Sequence, residues 1–342
     1  MSSLSPKERL LRVLQKKAVD RAPVICTGGM MNAAIVDVMN KTGHTLPEAH
    51  HDDVLMSELS HDVFEQTGFE NFGIPFCMTV EAEVLGSEIN FGTLACEPKI
   101  EKEIFPSTSK VDFKKKTGIA NSGRVNTIIQ AGYKLSQQYP DIPVIGNLTG
   151  PISTAASIVD PITFLKELRK DPANAHKVLD YVSDFLLDYA KLMIDNGVTL
   201  ISIGDPTATG EILGPKMFEE YAVTYLNKIV AGIHSFGAPV IVHICGNMNK
   251  VKHLMPRINS DAISTDALVN LRLLKEEYPQ LTTMGNLSTY LLEFGTPEDV
   301  EKRATTLVRE KVNIISPACG LSTSSALANI TAMTTAVKES NY

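Results

Sequence analysis

The chain has 342 residues, 44% hydrophobic and 21% charged, with 32 basic against 39 acidic side chains and a formal net charge of −7. These are the proportions of a soluble globular protein with a full-sized core, enough chain for two domains or for one α/β barrel with extensions. The acidic balance gives no footing for nucleic acid or an anionic membrane as partner, and no apolar run reaches the roughly 18 residues that would span a bilayer.

Ser5 followed by Pro6 and an amphipathic run to Gln15 starts a helix with proline at its first position, and the N-terminus lacks the apolar stretch of a signal peptide. Asp20-Arg21-Ala22-Pro23 turns the chain into Val24-Ile25-Cys26, the first strand candidate. Residues 30–41 read as a helix stopped at Gly43, and a second helix runs from Asp52, an N-cap, to about Thr67 before Gly68. Residues 72–105 are less regular. Alternation in Val80-Glu81-Ala82-Glu83-Val84 and in residues 87–92 predicts hairpins and loops inserted into the scaffold.

From Arg124 the pattern becomes regular. Helices are expected over residues 124–138, 161–170, 172–196, 216–236 and 324–340, with strands at 142–147, 198–204, 239–245, 261–264, 281–285 and 312–316. With Val24 and the segment at Ile74 this makes about eight strands alternating with helices. We therefore expect an α/β chain, a (β/α)8 TIM barrel with an N-terminal helical elaboration, as one domain over residues 1–342. A doubly wound sheet has less support, because no Gly-x-Gly-x-x-Gly turn follows an early strand.

Barrel active sites lie at the C-terminal ends of the strands. Asn147, Asp205, His243, Cys245, Asp266 and Asn286 stand at such ends, with Cys319 just beyond another. His243 and Cys245 are two apart, so on a strand their side chains leave the same face. One imidazole and two thiolates suit Zn²⁺ and leave a fourth position open, as in a catalytic site. The plain alternative is that these residues bind no metal. A cysteine in apolar surroundings is usually a small hydrophobe, the reading given to Cys26, Cys77 and Cys96. No Cys-x₂₋₄-Cys knuckle supports a closed structural zinc. Convergence on one barrel face favours the open metal site. His50 and His51 read as solvated capping residues, and His44, His61, His176, His234 and His253 as surface or interface groups. Glu81 and Glu83 are either cleft-mouth or solvated strand-face charges. Five scattered cysteines without a disulfide rhythm point to a reducing cytoplasm.

His-Ile-Cys-Gly-Asn at His243 to Asn247, followed by Pro-Ala-Cys-Gly at Pro317 to Gly320, resembles the His-x-Cys…Cys zinc motif of the methylcobamide:coenzyme M methyltransferases. These corrinoid-dependent enzymes belong to the uroporphyrinogen decarboxylase superfamily. Arg21-Ala22-Pro23-Val24, Cys77-Met78-Thr79-Val80-Glu81, Gly204-Asp205-Pro206 and Gly285-Asn286-Leu287-Ser288 are similar to family segments and stand in family order, so the resemblance spans the chain. It implies a TIM barrel holding zinc through His243, Cys245 and Cys319. Asp266 falls where relatives place an acidic group that completes the metal's shell. Aspartate is one methylene shorter than the expected glutamate, which leaves direct ligation or support from behind the ligands.

The resemblance further implies a methylcobamide as methyl donor, carried in trans by a small corrinoid protein, since the Asp-x-His-x-x-Gly pattern of corrinoid domains is absent. The implied acceptor is a thiol, coenzyme M first, with another thiol or a tetrahydrofolate as alternatives. Asp205 is expected to orient the corrinoid or the thiol, and Asn286 to donate a hydrogen bond in the cleft. A porphyrinogen decarboxylase is disfavoured, because residues 24–31 hold no arginine for porphyrin carboxylates. A non-catalytic barrel that binds a corrinoid protein or a small molecule is the remaining alternative.

Overall fold

A computed structural model describes residues 3–340. Nine strands form: β1 (Phe72–Ile74), β2 (Glu88–Asn90), β3 (Lys99–Lys102), β4 (Val144–Thr149), β5 (Leu200–Gly204), β6 (Val240–Ile244), β7 (Ala262–Thr265), β8 (Thr283–Leu287) and β9 (Ile314–Pro317). Seven of them make one parallel sheet in the order β1-β4-β5-β6-β7-β8-β9, and β2 pairs antiparallel with β3. Every residue of β4, β6, β7, β8 and β9 is buried. A parallel sheet covered on both faces demands this, and it explains why these strands read as apolar runs without alternation.

Helices return the chain between strands. In Pro172–Asp195, Ala175, Val178, Leu179, Val182, Leu186, Ala190 and Met193 form a buried stripe at helical spacing. Its start is fixed by Pro172 and by the Asp171 carboxylate, which accepts the Asn174 N–H. The N-terminal elaboration comprises Pro6–Leu14, Val36–Thr42 and Asp53–Thr67. No helix of the described residues is long and apolar enough to cross a membrane.

The strand expected at Val24 shrinks to a single bridge with Ile315. On one side Ile25 N–H donates to Ile315 O at 3.0 Å and Ile315 N–H to Pro23 O at 2.9 Å. On the other side, facing β1, Glu70 N–H donates to Val24 O at 2.9 Å. Side chains then replace the ladder: Val24 N–H donates to Glu70 Oε2 at 3.0 Å and Cys26 N–H to Asn71 Oδ1 at 2.9 Å. Glu70 is in turn gripped by Arg9 at 2.8 Å and Arg21 at 2.6 Å, while Arg9 also holds Asp20 at 2.7 Å.

Other elements depart from expectation. The helix expected over 30–41 covers only Val36–Thr42, because residues 28–31 make a tight turn. Gly28 (φ 94°) and Gly29 (φ 58°) lie outside the right-handed region that a helix requires. Val80-Glu81-Ala82-Glu83-Val84 forms the helix Val80–Leu85, since Val80 and Val84 are also i and i+4, and Gly86 in the left-handed conformation stops it. The helix expected over 216–236 begins with π-type turns at Phe218–Val223 before Thr224–Ser235. Pro151–Ile158 and Gly210–Met217 are additional helices. The first is buried nearly all round and so carries no amphipathic stripe.

Candidate metal centre

β6 ends at Ile244, and Gly246 (φ 72°) turns the chain away, leaving His243 and Cys245 at the strand's C-terminal end. β9 ends at Pro317; Ala318 N–H donates to Leu287 O at 2.8 Å, which pins Cys319 just past the sheet. In strand order, β6 and β9 are three places apart, about 14 Å on a flat sheet. Yet Cys245 Sγ and Cys319 Sγ stand 3.0 Å apart. Only the curl of the sheet can bring them together.

His243 is buried between them and β7. Its Nδ1 lies 2.8 Å from Ser264 Oγ, its register partner, and its Nε2 lies 3.3 Å from Cys245 Sγ. With Nδ1–H donated to Ser264, the Nε2 lone pair faces the sulfurs, the tautomer that a metal ligand needs. The ligand atoms of His243, Cys245 and Cys319 all lie within 4.8 Å of one another. A borderline-soft set of one nitrogen and two sulfurs fits Zn²⁺ by donor chemistry.

The two thiols stand within hydrogen-bonding distance of each other. The hydrogen bond from Cys245 draws the Cys319 thiol below the ordinary thiol range, against the effect of burial. Cys245 is pushed up as the donor of that bond and by burial.

A wall formed by the turn at Gly28–Met31 closes the inner side. Met30 Sδ lies 3.5 Å from Cys245 Sγ. Behind it is a cavity of ≈ 10 Å³, room for about one water molecule, whose lining includes Gly29, Met30, Cys77, Asn147, Ser202 and His243, with no lysine or arginine. A larger groove lined by Phe113, Tyr181 and Phe236 lies among other residues and shares none with this site.

The other strand-end residues prove to hold backbone. Asp205 is fully buried: Oδ2 accepts Ile152 N–H at 3.0 Å, and Oδ1 accepts Ser153 N–H at 2.9 Å and Ser153 Oγ–H at 2.6 Å. It thus serves the first turn of Pro151–Ile158 and touches no cleft, and burial pushes its carboxyl up to about 6. Asn286 Nδ2 donates to Asp266 O at 2.9 Å and Val269 O at 2.7 Å, so both of its protons hold that loop. Asp266 accepts Leu268 N–H at 3.0 Å, and its carboxylate lies outside the group formed by His243, Cys245 and Cys319. Asn147 donates to Thr27 O at 2.6 Å and Ile74 O at 3.0 Å, clamping the base of the Gly28–Met31 turn.

Several readings of single residues change. Cys96 is exposed. His50 is fully buried, and desolvation with Arg124 nearby lowers its imidazole to about 3, so it is not a solvated cap. Glu81 is buried, accepting Thr149 N–H at 2.7 Å and Thr149 Oγ1–H at 2.9 Å, and burial lifts its carboxyl to about 7. Cys77 is more than a small hydrophobe: its Sγ accepts from Arg124 at 3.2 Å, while the same guanidinium donates to Glu83 at 2.7 Å and Thr79 at 2.8 Å. Ser264, Met30 and Arg124 were not among the expected site residues. Only Ser264 carried a sequence signal, as a polar residue closing an apolar strand beside His243's strand.

Residues 5–340 match the Uroporphyrinogen decarboxylase (URO-D) family. The chain is 34% identical to the methylcobamide:CoM methyltransferase MtbA of Methanosarcina acetivorans, with 100% of each chain covered. It is 27% identical to the methylcobamide:CoM methyltransferase MtaA of Methanosarcina barkeri, with 99% of each covered. A solved methyltransferase from Methanosarcina mazei superposes with a TM-score of 0.92 at 26% identity, covering 98% of this chain and 99% of that one.

Proposed function

We propose, from the premise that this chain belongs to the uroporphyrinogen decarboxylase family and within it to the methylcobamide:CoM methyltransferases, that it moves a methyl group from a methylated corrinoid to a thiol. The observation that carries this reading is the meeting of His243, Cys245 and Cys319 at the C-terminal ends of β6 and β9. Coenzyme M, the acceptor in the names of the full-length relatives, is the acceptor we propose. The donor arrives in trans, on a small corrinoid protein docked over the strand ends. We read the sheet as a (β/α)8 barrel whose eighth place is taken by the bridge at Val24, making one domain over residues 1–342. Its five free cysteines suit a reducing cytoplasm.

The residues that would hold Zn²⁺ are His243 through Nε2 and the two cysteines through Sγ. Bound there, the ion would supply the charge that keeps an acceptor thiol deprotonated at neutral pH. The chain's own groups prepare that chemistry. Ser264 fixes the His243 tautomer, and Cys245 and Cys319 sit close enough to share a proton, so loading the site releases it. The Gly28–Met31 wall leaves room for only about one water molecule on the inner side. Asp205 and Asn286 act as positioning residues: one fixes the start of Pro151–Ile158, the other the loop that carries Asp266. Residues 24–31 hold no arginine to grip a porphyrin's carboxylates, which weighs against decarboxylation.

The test combines zinc content with anaerobic demethylation of methylcobalamin in the presence of coenzyme M. Wild type should carry about one zinc per chain and demethylate only with the thiol, and Cys245→Ala and Cys319→Ala should lose both properties. A well-folded wild type without zinc would sink the reading.

A further inference from the structure

We infer that Met30 stands in the place of the methylated acceptor in the resting protein, and that the site therefore takes unbranched 2-substituted ethanethiols; this rests on the thiol-methyltransferase reading above. The chemistry of the side chain is the first ground. Methionine ends in –CH₂–CH₂–S–CH₃, the group that HS–CH₂–CH₂–R becomes when its sulfur is methylated. Its position is the second. Met30 Sδ is in van der Waals contact with Cys245 Sγ at 3.5 Å, and Met30 lines the same cavity as His243. Its Cβ and terminal methyl lie 3.6 and 3.9 Å from where a Cβ on Gly204 would stand, so the side chain is laid along the end of β5 against the donor set.

The remaining space is the third ground. A cavity of ≈ 10 Å³ cannot admit a thiol of four or more heavy atoms while Met30 lies there. Met30 and the acceptor's stem exclude each other.

The backbone beneath Met30 cannot retreat to make room. Gly28 and Met31 bond to each other twice, at 3.0 and 2.9 Å. A Cβ at Gly28 would stand 2.8 Å from Gly73 C, and one at Gly29 2.7 Å from Asn147 Cβ, so the turn is seated on β1 and β4 with no slack. Met30 O lies 2.5 Å from the Cβ position of Gly320, directly after Cys319. The side chain is what can move. Methionine has three soft torsions and a polarizable sulfur, suited to leaving and refilling such a space. The acceptor then replaces one –CH₂–CH₂–S– group by another of the same shape. A branched carbon next to the sulfur would not fit the track that Met30 vacates.

The measurement uses the full chain loaded with Co²⁺ in place of zinc, read through the sulfur-to-cobalt charge-transfer bands that grow when a further thiolate binds. Coenzyme M is titrated into wild type, Met30→Ala and Met30→Leu, followed by 2-propanethiol as the branched probe. If Met30 fills the subsite nine-tenths of the time, freeing it makes coenzyme M bind about tenfold tighter in Met30→Ala. Met30→Leu, of equal bulk, stays within about threefold of wild type, and 2-propanethiol is refused by wild type and Met30→Ala alike, because the track itself is unchanged. A second readout spares the wild-type fold: in the zinc form labelled with ¹³C-methyl methionine, the Met30 methyl resonance, assigned by its loss in Met30→Leu, shifts as coenzyme M is added. Met30→Ala with full cobalt but unchanged or weaker thiol affinity, or a Met30 resonance that thiol leaves unmoved, overturns the inference while the methyltransferase reading stands. Cobalt that binds stoichiometrically yet gains no thiolate band in any variant overturns that reading, and the inference with it.

Discussion

The two ends of the parallel sheet treat their most deeply buried carboxylates, Glu70 at one and Glu81 and Asp205 at the other, in opposite ways. At the N-terminal end Glu70 and Asp20 are met by Arg9 and Arg21, and Arg9 holds Asp20 far below the ordinary carboxylate range. At the C-terminal end Glu81 and Asp205 are buried against backbone N–H and hydroxyl donors, with no cation bonded to either, and burial lifts them to about 7 and 6. The first end spends its charges on each other and closes the gap where a strand is missing. At the second, Arg124 is taken up by Glu83, Cys77 and Thr79, while the bonds described for His243, Cys245 and Cys319 involve no lysine or arginine. On the reading proposed above, stability and chemistry are separated along the strand axis.

The sharpest way to break this division is to exchange the consequences of mutation at the two ends. Cys245→Ala or Cys319→Ala should lower zinc affinity by at least about a hundredfold and abolish thiol-dependent demethylation, with the metal-free melting temperature little changed. Glu70→Gln should do the reverse. It leaves Arg9 with Asp20 as its remaining carboxylate and half-buried Arg21 without one, a loss of about 1–3 kcal/mol of stability in urea melts, while metal affinity of the folded protein is retained. If Glu70→Gln also lost zinc in the folded state, the two ends would not be separable.

A finer division is predicted within the active end. Ser264→Ala removes only the hydroxyl that orients His243, so zinc affinity should fall about tenfold to a hundredfold, with the cysteine-bound cobalt spectrum keeping its sulfur bands. Loss of those bands would mean that Ser264 supports the fold and not the ligand alone.

The smallest effect concerns pH. Glu81 rises from 4.5 to about 7 on folding, so the folded chain keeps a proton that the unfolded chain releases. Stability from this group is full below about pH 4.5 and falls as pH rises to about 7, by at most about 1.4 kcal/mol per pH unit. Glu81→Gln should flatten the pH dependence of unfolding over that window. An unchanged slope would remove Glu81 from the account.

Much of this arrangement was legible in the residues. The parallel strands announced themselves as apolar runs because both faces are covered, and the His-x-Cys pair with a second strand-end cysteine marked the three residues that the structure brings within 4.8 Å of one another. The parts that were not legible depend on partners distant in the chain. The eighth strand fails because Glu70 and Asn71, some 45 residues on, take over its hydrogen bonds. Asp205 stood where a catalytic group would stand, yet it serves a helix that begins 54 residues earlier, at Pro151, and that helix had no amphipathic signature of its own. Val80-Glu81-Ala82-Glu83-Val84 fits both a two-residue and a helical period, and only burial of its apolar side decided between them. Met30 could be placed beside Cys245 only once the Gly28–Met31 turn was known to replace a helix.

The central claim, that His243, Cys245 and Cys319 form an open metal set for a thiol acceptor, is tested most directly by zinc K-edge X-ray absorption on the purified protein with and without coenzyme M. The account predicts two sulfur scatterers and at least one histidine nitrogen in the free protein, rising to three sulfurs when the thiol is added. A sulfur count that coenzyme M leaves unchanged, or zinc bound with fewer than two sulfurs, would contradict it.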